Sequence, residues 1–342
     1  MSVFVSGATG FIAQHVVSLL LEQNYNVIGS VRSQKKADKL VTNFQNNPNL
    51  TVVIVPDISK LDAFHDTFKQ YGKEIKYVLH TASPFSFEAE NIEKDFLIPA
   101  KNGTLGILES IKSYAADTVE RVVVTSSFAA IMDLRKLMDK NATFNESTWN
   151  PDTWETCQID AGFGYNGSKK VAEEVAWNFL KQNENVVKFK LSTVNPVLVF
   201  GPQTFDSEVK STLNTSCEVI NNCLKCKSDS PISNFCGQFV DVRDVAKAHL
   251  YAFQKENTVG KRLFMINGDF NAQDIFNCLN TDFPSLKGEI PIGVPSNGVL
   301  GTQMGAFIDN TKTREILGFE FTSFEKSVHD TAEQILKVQG KI

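Results

Sequence analysis

The glycine turn Gly7-Ala8-Thr9-Gly10-Phe11-Ile12-Ala13 constrains this chain more than any other stretch, because of where it falls. It follows a short apolar run at 3–6 and opens a segment, 11–22, whose apolar residues recur at helical spacing. Small residues there let the backbone turn tightly, and the first amides of the helix then face an anion. The alternation continues. Residues 27–31, 51–55, 77–80 and 121–125 read as strands, with helices at 34–44, 61–71 and 93–114 between them. Gly103 and Gly106 in the last helix point to close packing. Strands alternating with helices build βαβ units around a parallel sheet covered on both faces. Right-handed crossovers make that sheet doubly wound.

At 342 residues the chain is long enough for such an α/β sheet and a smaller lobe. Residues 134–156 break the rhythm with polar side chains and read as a loop over the sheet. A helix runs on from Tyr165 through 171–180, a strand at 189–194 stops at Asn195-Pro196, and 262–266 is a last strand. After Gly201-Pro202 the pattern weakens. We therefore expect a doubly wound, parallel Rossmann domain over 1–196 and about 237–266. Residues from about 197 to 236 and from 267 to 342 would form a C-terminal substrate lobe.

Composition removes several classes. A net charge of −5 with no basic tract argues against nucleic acid. No apolar stretch approaches the roughly 18–20 residues of a membrane span. Met1 leads straight into a strand with no basic leader, so a cytoplasmic protein is expected, as a monomer or homodimer. The six cysteines are scattered, and Cys223-x2-Cys226 lacks a convincing fourth ligand for zinc, so reduced thiols and no metal are expected.

Chemistry concentrates at strand ends. After the second strand comes Ser30-Val31-Arg32-Ser33, with Lys36 one helical turn on, where an NAD site usually places an acid. Arg32 and Lys36 suit a 2′-phosphate, which makes NADP(H) the expected cofactor. Asp57 and Ile58, after the third strand, would border the adenine. Ser126 and Ser127 end the strand at 121–125, and either hydroxyl could hold a carbonyl oxygen. Tyr165 and Lys169 stand four residues apart on one helix face, where the ammonium would lower the phenol pKa and make it a proton donor. Phe85 and Phe128 would wall the pocket at the sheet's carboxyl edge. His80 reads as a core residue, and Asp241-Val242-Arg243-Asp244 as a structural ion cluster at a helix start.

Residues 3–8, His80-Thr81-Ala82-Ser83-Pro84-Phe85, Tyr165-x-Gly167-Ser168-Lys169-Lys170, Asn195-Pro196-Val197 and 239–246 together resemble the extended short-chain dehydrogenase/reductase superfamily. The resemblance is strongest to its branch of dihydroflavonol reductases, cinnamoyl-CoA reductases and yeast NADPH-dependent methylglyoxal/isovaleraldehyde reductases, and it covers essentially the whole chain. It implies Ser127, Tyr165 and Lys169 as the catalytic set. It also implies cofactor contacts from Gly7 to Ile12 and at Arg32, Lys36, Asp57, Ile58, Thr81, Ala82 and Pro196, with Val199 and Ser216 at the nicotinamide end. Phe128, Met132 and Leu198 depart from aromatic or hydroxylated residues that relatives can carry, which bears on substrate range and stereochemistry. The activity so implied is reduction of a small-molecule carbonyl, aldehyde or ketone, by NADPH with Tyr165 as proton donor. Two alternatives are an NAD-dependent sugar-nucleotide epimerase of the same fold and a non-catalytic NADP-sensing protein. Arg32 and the apolar pocket oppose the first, and the complete Ser127/Tyr165/Lys169 set opposes the second.

Overall fold

A computed structural model of the protein describes residues 1–83, 91–292 and 305–342. Its first 125 residues alternate as expected: β1 (Ser2–Ser6), α1 (Phe11–Glu22), β2 (Asn26–Val31), α2 (Gln34–Asn43), β3 (Leu50–Ile54), α3 (His65–Tyr71), β4 (Ile75–His80), α4 (Ile98–Tyr114) and β5 (Arg121–Thr125). Then come β6 (Thr143–Phe144), α5 (Ala161–Asn183), β7 (Lys190–Pro196), β8 (Leu198–Phe200) and α6 (Thr215–Lys225). The remainder is β9 (Cys236–Asp241), α7 (Val242–Gln254), β10 (Arg262–Met265), β11 (Gly268–Asn271), α8 (Ala272–Asp282), β12 (Phe307–Ile308), α9 (Thr311–Leu317) and α10 (Phe324–Val338).

Seven strands in the order β10-β7-β5-β4-β1-β2-β3 form one wholly parallel sheet. The alternation of side chains along its strands fills two cores. Val3 and Val5 of β1 pack with Val16 and Leu20 of α1 and Val245 of α7 on one face. Phe4 packs with Phe68, Ile107, Ile111 and Phe179 on the other. A sheet buried on both sides needs apolar residues at successive positions, which is why β1 and β5 read as continuous runs. The strand order reverses between β1 and β4, and ligands bind outside the carboxyl ends at such a switch point. There Ser6 and His80 are in register, with Ser6 Oγ 2.9 Å from His80 Nδ1.

A second sheet, β11-β9-β8, packs against α6, α8 and α10 around Phe200, Phe239, Phe270 and Ile335. Here the chain crosses over in a way that periodicity does not predict. β9 pairs with β8 and β11 in the small sheet, although it opens the 237–266 stretch expected beside the large one. α7, immediately after it, packs on α1 in the large core. Late in the chain, β12 pairs with β6, Phe264 N donates to Thr313 Oγ1 at 2.9 Å, and Leu317 joins the large core. Residues 307–317 thus lie with β10, not with the small sheet. The reason is physical: a 2-residue period marks a strand but says nothing of which edge it joins.

Asp241 caps α7 by accepting from Arg243 N at 2.8 Å. Arg243 also binds Asp330 of α10 at 2.5 Å, and Ser327 Oγ donates to Asp241 at 2.7 Å. The acidic-basic run there fastens α10 to the turn between β9 and α7. All six cysteines are free. Among the described residues no group of three His, Cys, Asp or Glu could hold a metal, and no helix is long and apolar enough to cross a membrane.

Candidate active site

The glycine turn lies under the end of β4. Gly7 has φ +67°, and a Cβ there would stand 3.0 Å from Ala82 Cβ, so both backbone conformation and space call for glycine. Gly7 N donates to Ser30 Oγ at 3.2 Å and Ala8 N to Ser30 O at 2.9 Å, which ties the turn to β2. α1 begins with neither a side-chain cap nor an acidic residue in its first turn. Its N-terminal amides and dipole are left for an anion. A cleft of about 280 Å³ runs from Gly7, Thr9 and Gly10 past Arg32 and Lys36 to Ile58, Thr81 and Ala82. No carboxylate lines it among the described residues.

These residues fit a dinucleotide with a 2′-phosphate: a turn without side chains, a helix N-terminus, and two exposed cations at the end of β2. Ala8 is fully buried, and Phe11 and Ile12 are half-buried against the core. Asp57 is exposed beside the cleft, where bonds from Ser59 Oγ and Ser59 N hold its carboxyl below the ordinary range. Further along, Val199 N donates to Ser216 Oγ at 3.1 Å, which brings those two together, while Pro196 is buried at the end of β7.

The choice between the two serines is made by geometry. Ser126 is buried and donates to Glu173 Oε2 at 2.5 Å. Ser127 points the other way, caps the short turn Phe128–Ala130 by accepting from Ala129 N at 3.1 Å, and is hydrogen bonded to Tyr165. Tyr165 and Lys169 lie on α5, which Asp160 caps by accepting from Phe163 N at 2.9 Å. Gly164 and Gly167 bring this helix close to its neighbours; a Cβ at Gly167 would fall 1.9 Å from Cys157 Sγ.

One expectation is corrected. Lys169 Nζ sits 5.4 Å from the centre of the Tyr165 ring, but it donates to Ser83 Oγ at 2.7 Å. Burial raises the Tyr165 phenol above its ordinary value, and the bond from Ser127 only partly opposes this. Burial also brings the Lys169 ammonium down to about 8. Desolvation disfavours both charged forms and sets the direction of both shifts. Ser83 was quoted in the sequence motif without a role; its signal was its place just beyond β4. His80 is buried and neutral in character, its imidazole pushed down to about 4 by burial and by the nearby Lys169 charge.

The pocket residues divide. Phe128 is 6% exposed, stacked on Phe264 with centroids 5.2 Å apart, and Met132 packs against the same cluster. Leu198 belongs to the cluster of the small sheet. Phe85 lies outside the described residues.

Residues 3–271 match the NAD dependent epimerase/dehydratase family. Over 342 residues, all of both chains, the sequence is 56% identical to the NADPH-dependent methylglyoxal reductase of Saccharomyces cerevisiae. The crystal structure of the yeast methylglyoxal/isovaleraldehyde reductase complexed with NADPH matches with a TM-score of 0.96 over 100% of both chains. A related NADPH complex from Candida albicans, 48% identical, matches with a TM-score of 0.94 over 99% of each. With a family match over most of its length and relatives this similar end to end, the chain belongs to the NAD dependent epimerase/dehydratase family.

Proposed function

We propose that this protein is an NADPH-dependent carbonyl reductase, converting aldehydes and ketones to alcohols. One observation carries the reading: the Ser127–Tyr165 hydrogen bond, with Lys169 one turn further and bonded to Ser83, is joined through Ser83 to a cleft lined by Arg32 and Lys36 and, among the described residues, by no carboxylate. Gly7 to Ile12 would receive the pyrophosphate, Arg32 and Lys36 the 2′-phosphate, and Pro196, Val199 and Ser216 would border the nicotinamide. NADPH, when bound, supplies the hydride for the carbonyl carbon. Ser127 orients the carbonyl oxygen, and Tyr165, kept protonated by burial at neutral pH, donates its proton to that oxygen. Lys169 would hold the ribose hydroxyls and offset the charge of the phenolate left behind. The relatives' names support 2-oxoaldehydes and branched aldehydes as substrates. The apolar cluster of Phe128 and Met132 just beyond Ser127 supports aryl groups as well.

The division into a Rossmann domain and a substrate lobe is proposed on the two sheets, and a cytoplasmic monomer or homodimer on six unpaired thiols and a net charge of −5. The test is loss of NADPH absorbance with purified protein and a panel of carbonyls. Methylglyoxal, branched aliphatic and aryl aldehydes should exceed polyhydroxylated sugars in kcat/KM by about 10–200-fold, NADPH should outperform NADH, and Tyr165→Phe should cost roughly 10²–10⁴ in turnover. NADPH binding with no turnover of any carbonyl would favour a sensor instead.

A further inference from the structure

Glu173 is fully buried on α5. It lies four residues past Lys169 and eight past Tyr165, on the same helix face, yet deeper than either. A carboxylate in a core is costly unless it is paired and fully hydrogen bonded, and this one is. Its Oε1 accepts from Arg262 Nε at 2.5 Å and from Trp177 Nε1 and Thr193 Oγ1 at 3.2 Å. Its Oε2 accepts from Ser126 Oγ at 2.5 Å, Asn195 Nδ2 at 2.7 Å and Arg262 Nη2 at 3.3 Å. Arg262 donates onward to the carbonyls of Ala130, Glu146 and Thr148 and lies 3.9 Å over the Trp149 ring.

These contacts converge on one residue. Ser126 precedes Ser127 in the chain, Asn195 Nδ2 also donates to Ser127 O at 3.2 Å, and Ala130 ends the turn that Ser127 caps. We propose that the Glu173–Arg262 pair holds the end of β5 against α5 and so sets Ser127 relative to Tyr165, which makes Glu173 a positioning residue. The inference rests on the reductase reading of that site. Glu173 touches neither substrate nor cofactor; it acts through Ser126, Asn195 and the backbone of Ser127. A displacement of a catalytic group by ~1 Å costs about 100-fold in rate, so loss of this grip is read in turnover more than in binding.

The experiment compares the full chain with Glu173→Gln, which keeps shape and removes charge, and with Ser126→Ala, which removes one hydroxyl and no charge. NADPH titration by fluorescence gives the dissociation constant and the number of folded binding sites; thermal melting gives stability; kcat is expressed per binding site. Glu173→Gln should lower kcat per site by roughly 30–100-fold, with KM and NADPH affinity within about threefold of wild type. Ser126→Ala should lower it by about 3–10-fold in the same pattern. A purely structural role would reduce melting temperature and the number of sites but leave kcat per site unchanged, and that result overturns the proposal. If Glu173→Gln does not fold, unchanged kcat per site in Ser126→Ala overturns it alone. Failure of the wild type to reduce any carbonyl defeats the reductase reading instead.

Discussion

Tyr165 and Lys169 share a helix face, and burial moves their protons in opposite directions: the phenol keeps its proton to higher pH, and the ammonium sheds its own near pH 8. At neutral pH both are protonated, the state that the proposed roles of proton donor and cofactor-holding cation require. The same burial has a stability consequence. Below pH 8 the folded chain carries an ammonium that burial disfavours; between about 8 and 10.5 the folded chain releases that proton while the unfolded chain keeps it. Unfolding free energy therefore rises with pH across that window. Without added cofactor, Lys169→Met should melt higher than wild type at pH 7 by a few degrees, since ~1 kcal/mol moves Tm by roughly 1–2 °C in a chain this long, and the gap should close from pH 8 upward. A gap that stays constant to pH 10.5 would show that Lys169 is not desolvated. The pair itself was legible in the sequence from its spacing. Spacing alone did not choose Ser127 over Ser126, a choice only the family resemblance made, because adjacent residues at a strand end point to opposite sides and the position of α5 decides which side matters.

Among the elements, α5 carries the most consequence, because its register sets where Tyr165 meets Ser127. That register depends on Gly167, where a Cβ would lie 1.9 Å from Cys157 Sγ and 2.7 Å from Cys157 Cβ. Gly167→Ala should destabilise the fold by about 1–3 kcal/mol, the usual cost of overpacking, and lower turnover, since relief requires α5 or the 156–158 turn to shift. Adding Cys157→Ala removes the sulfur but not the Cβ contact, so it should recover part of the melting temperature and not all of it. Melting curves of the two variants check this, and an undisturbed single variant would show that the turn yields freely. Strand and helix periodicity was enough to find β1 to β5 and the helices between them. It could not place β9 in the small sheet or pair β12 with β6, because those depend on contacts between residues far apart in the chain.

For the whole molecule, two cores lie on either face of a parallel sheet, and two buried histidines sit in these layers, one of them joining a helix to a strand. His249 of α7 donates from Nδ1 to Val245 O at 2.7 Å, so its Nε2 accepts from Thr125 Oγ1 of β5, also at 2.7 Å. His80 at the end of β4 faces Ser6 of β1. The sequence identified His80 as core but gave no sign that His249 joins helix to sheet. Burial brings both imidazoles down from 6.5 to about 4. Between those values the unfolded chain binds protons that the folded chain excludes, so stability falls as pH falls. His15, also lowered by burial, adds to that loss, while Asp244, raised by burial to about 6, and Asp274, raised likewise, oppose it. We expect a loss on the order of a few kcal/mol, or about 3–6 °C in Tm, between pH 7 and pH 4.5. His249→Gln, which keeps an amide donor and acceptor without a titrating ring, should flatten that slope even if it melts lower at pH 7. A wild-type melting temperature that stays level over this range would mean that both imidazoles take up protons within the fold.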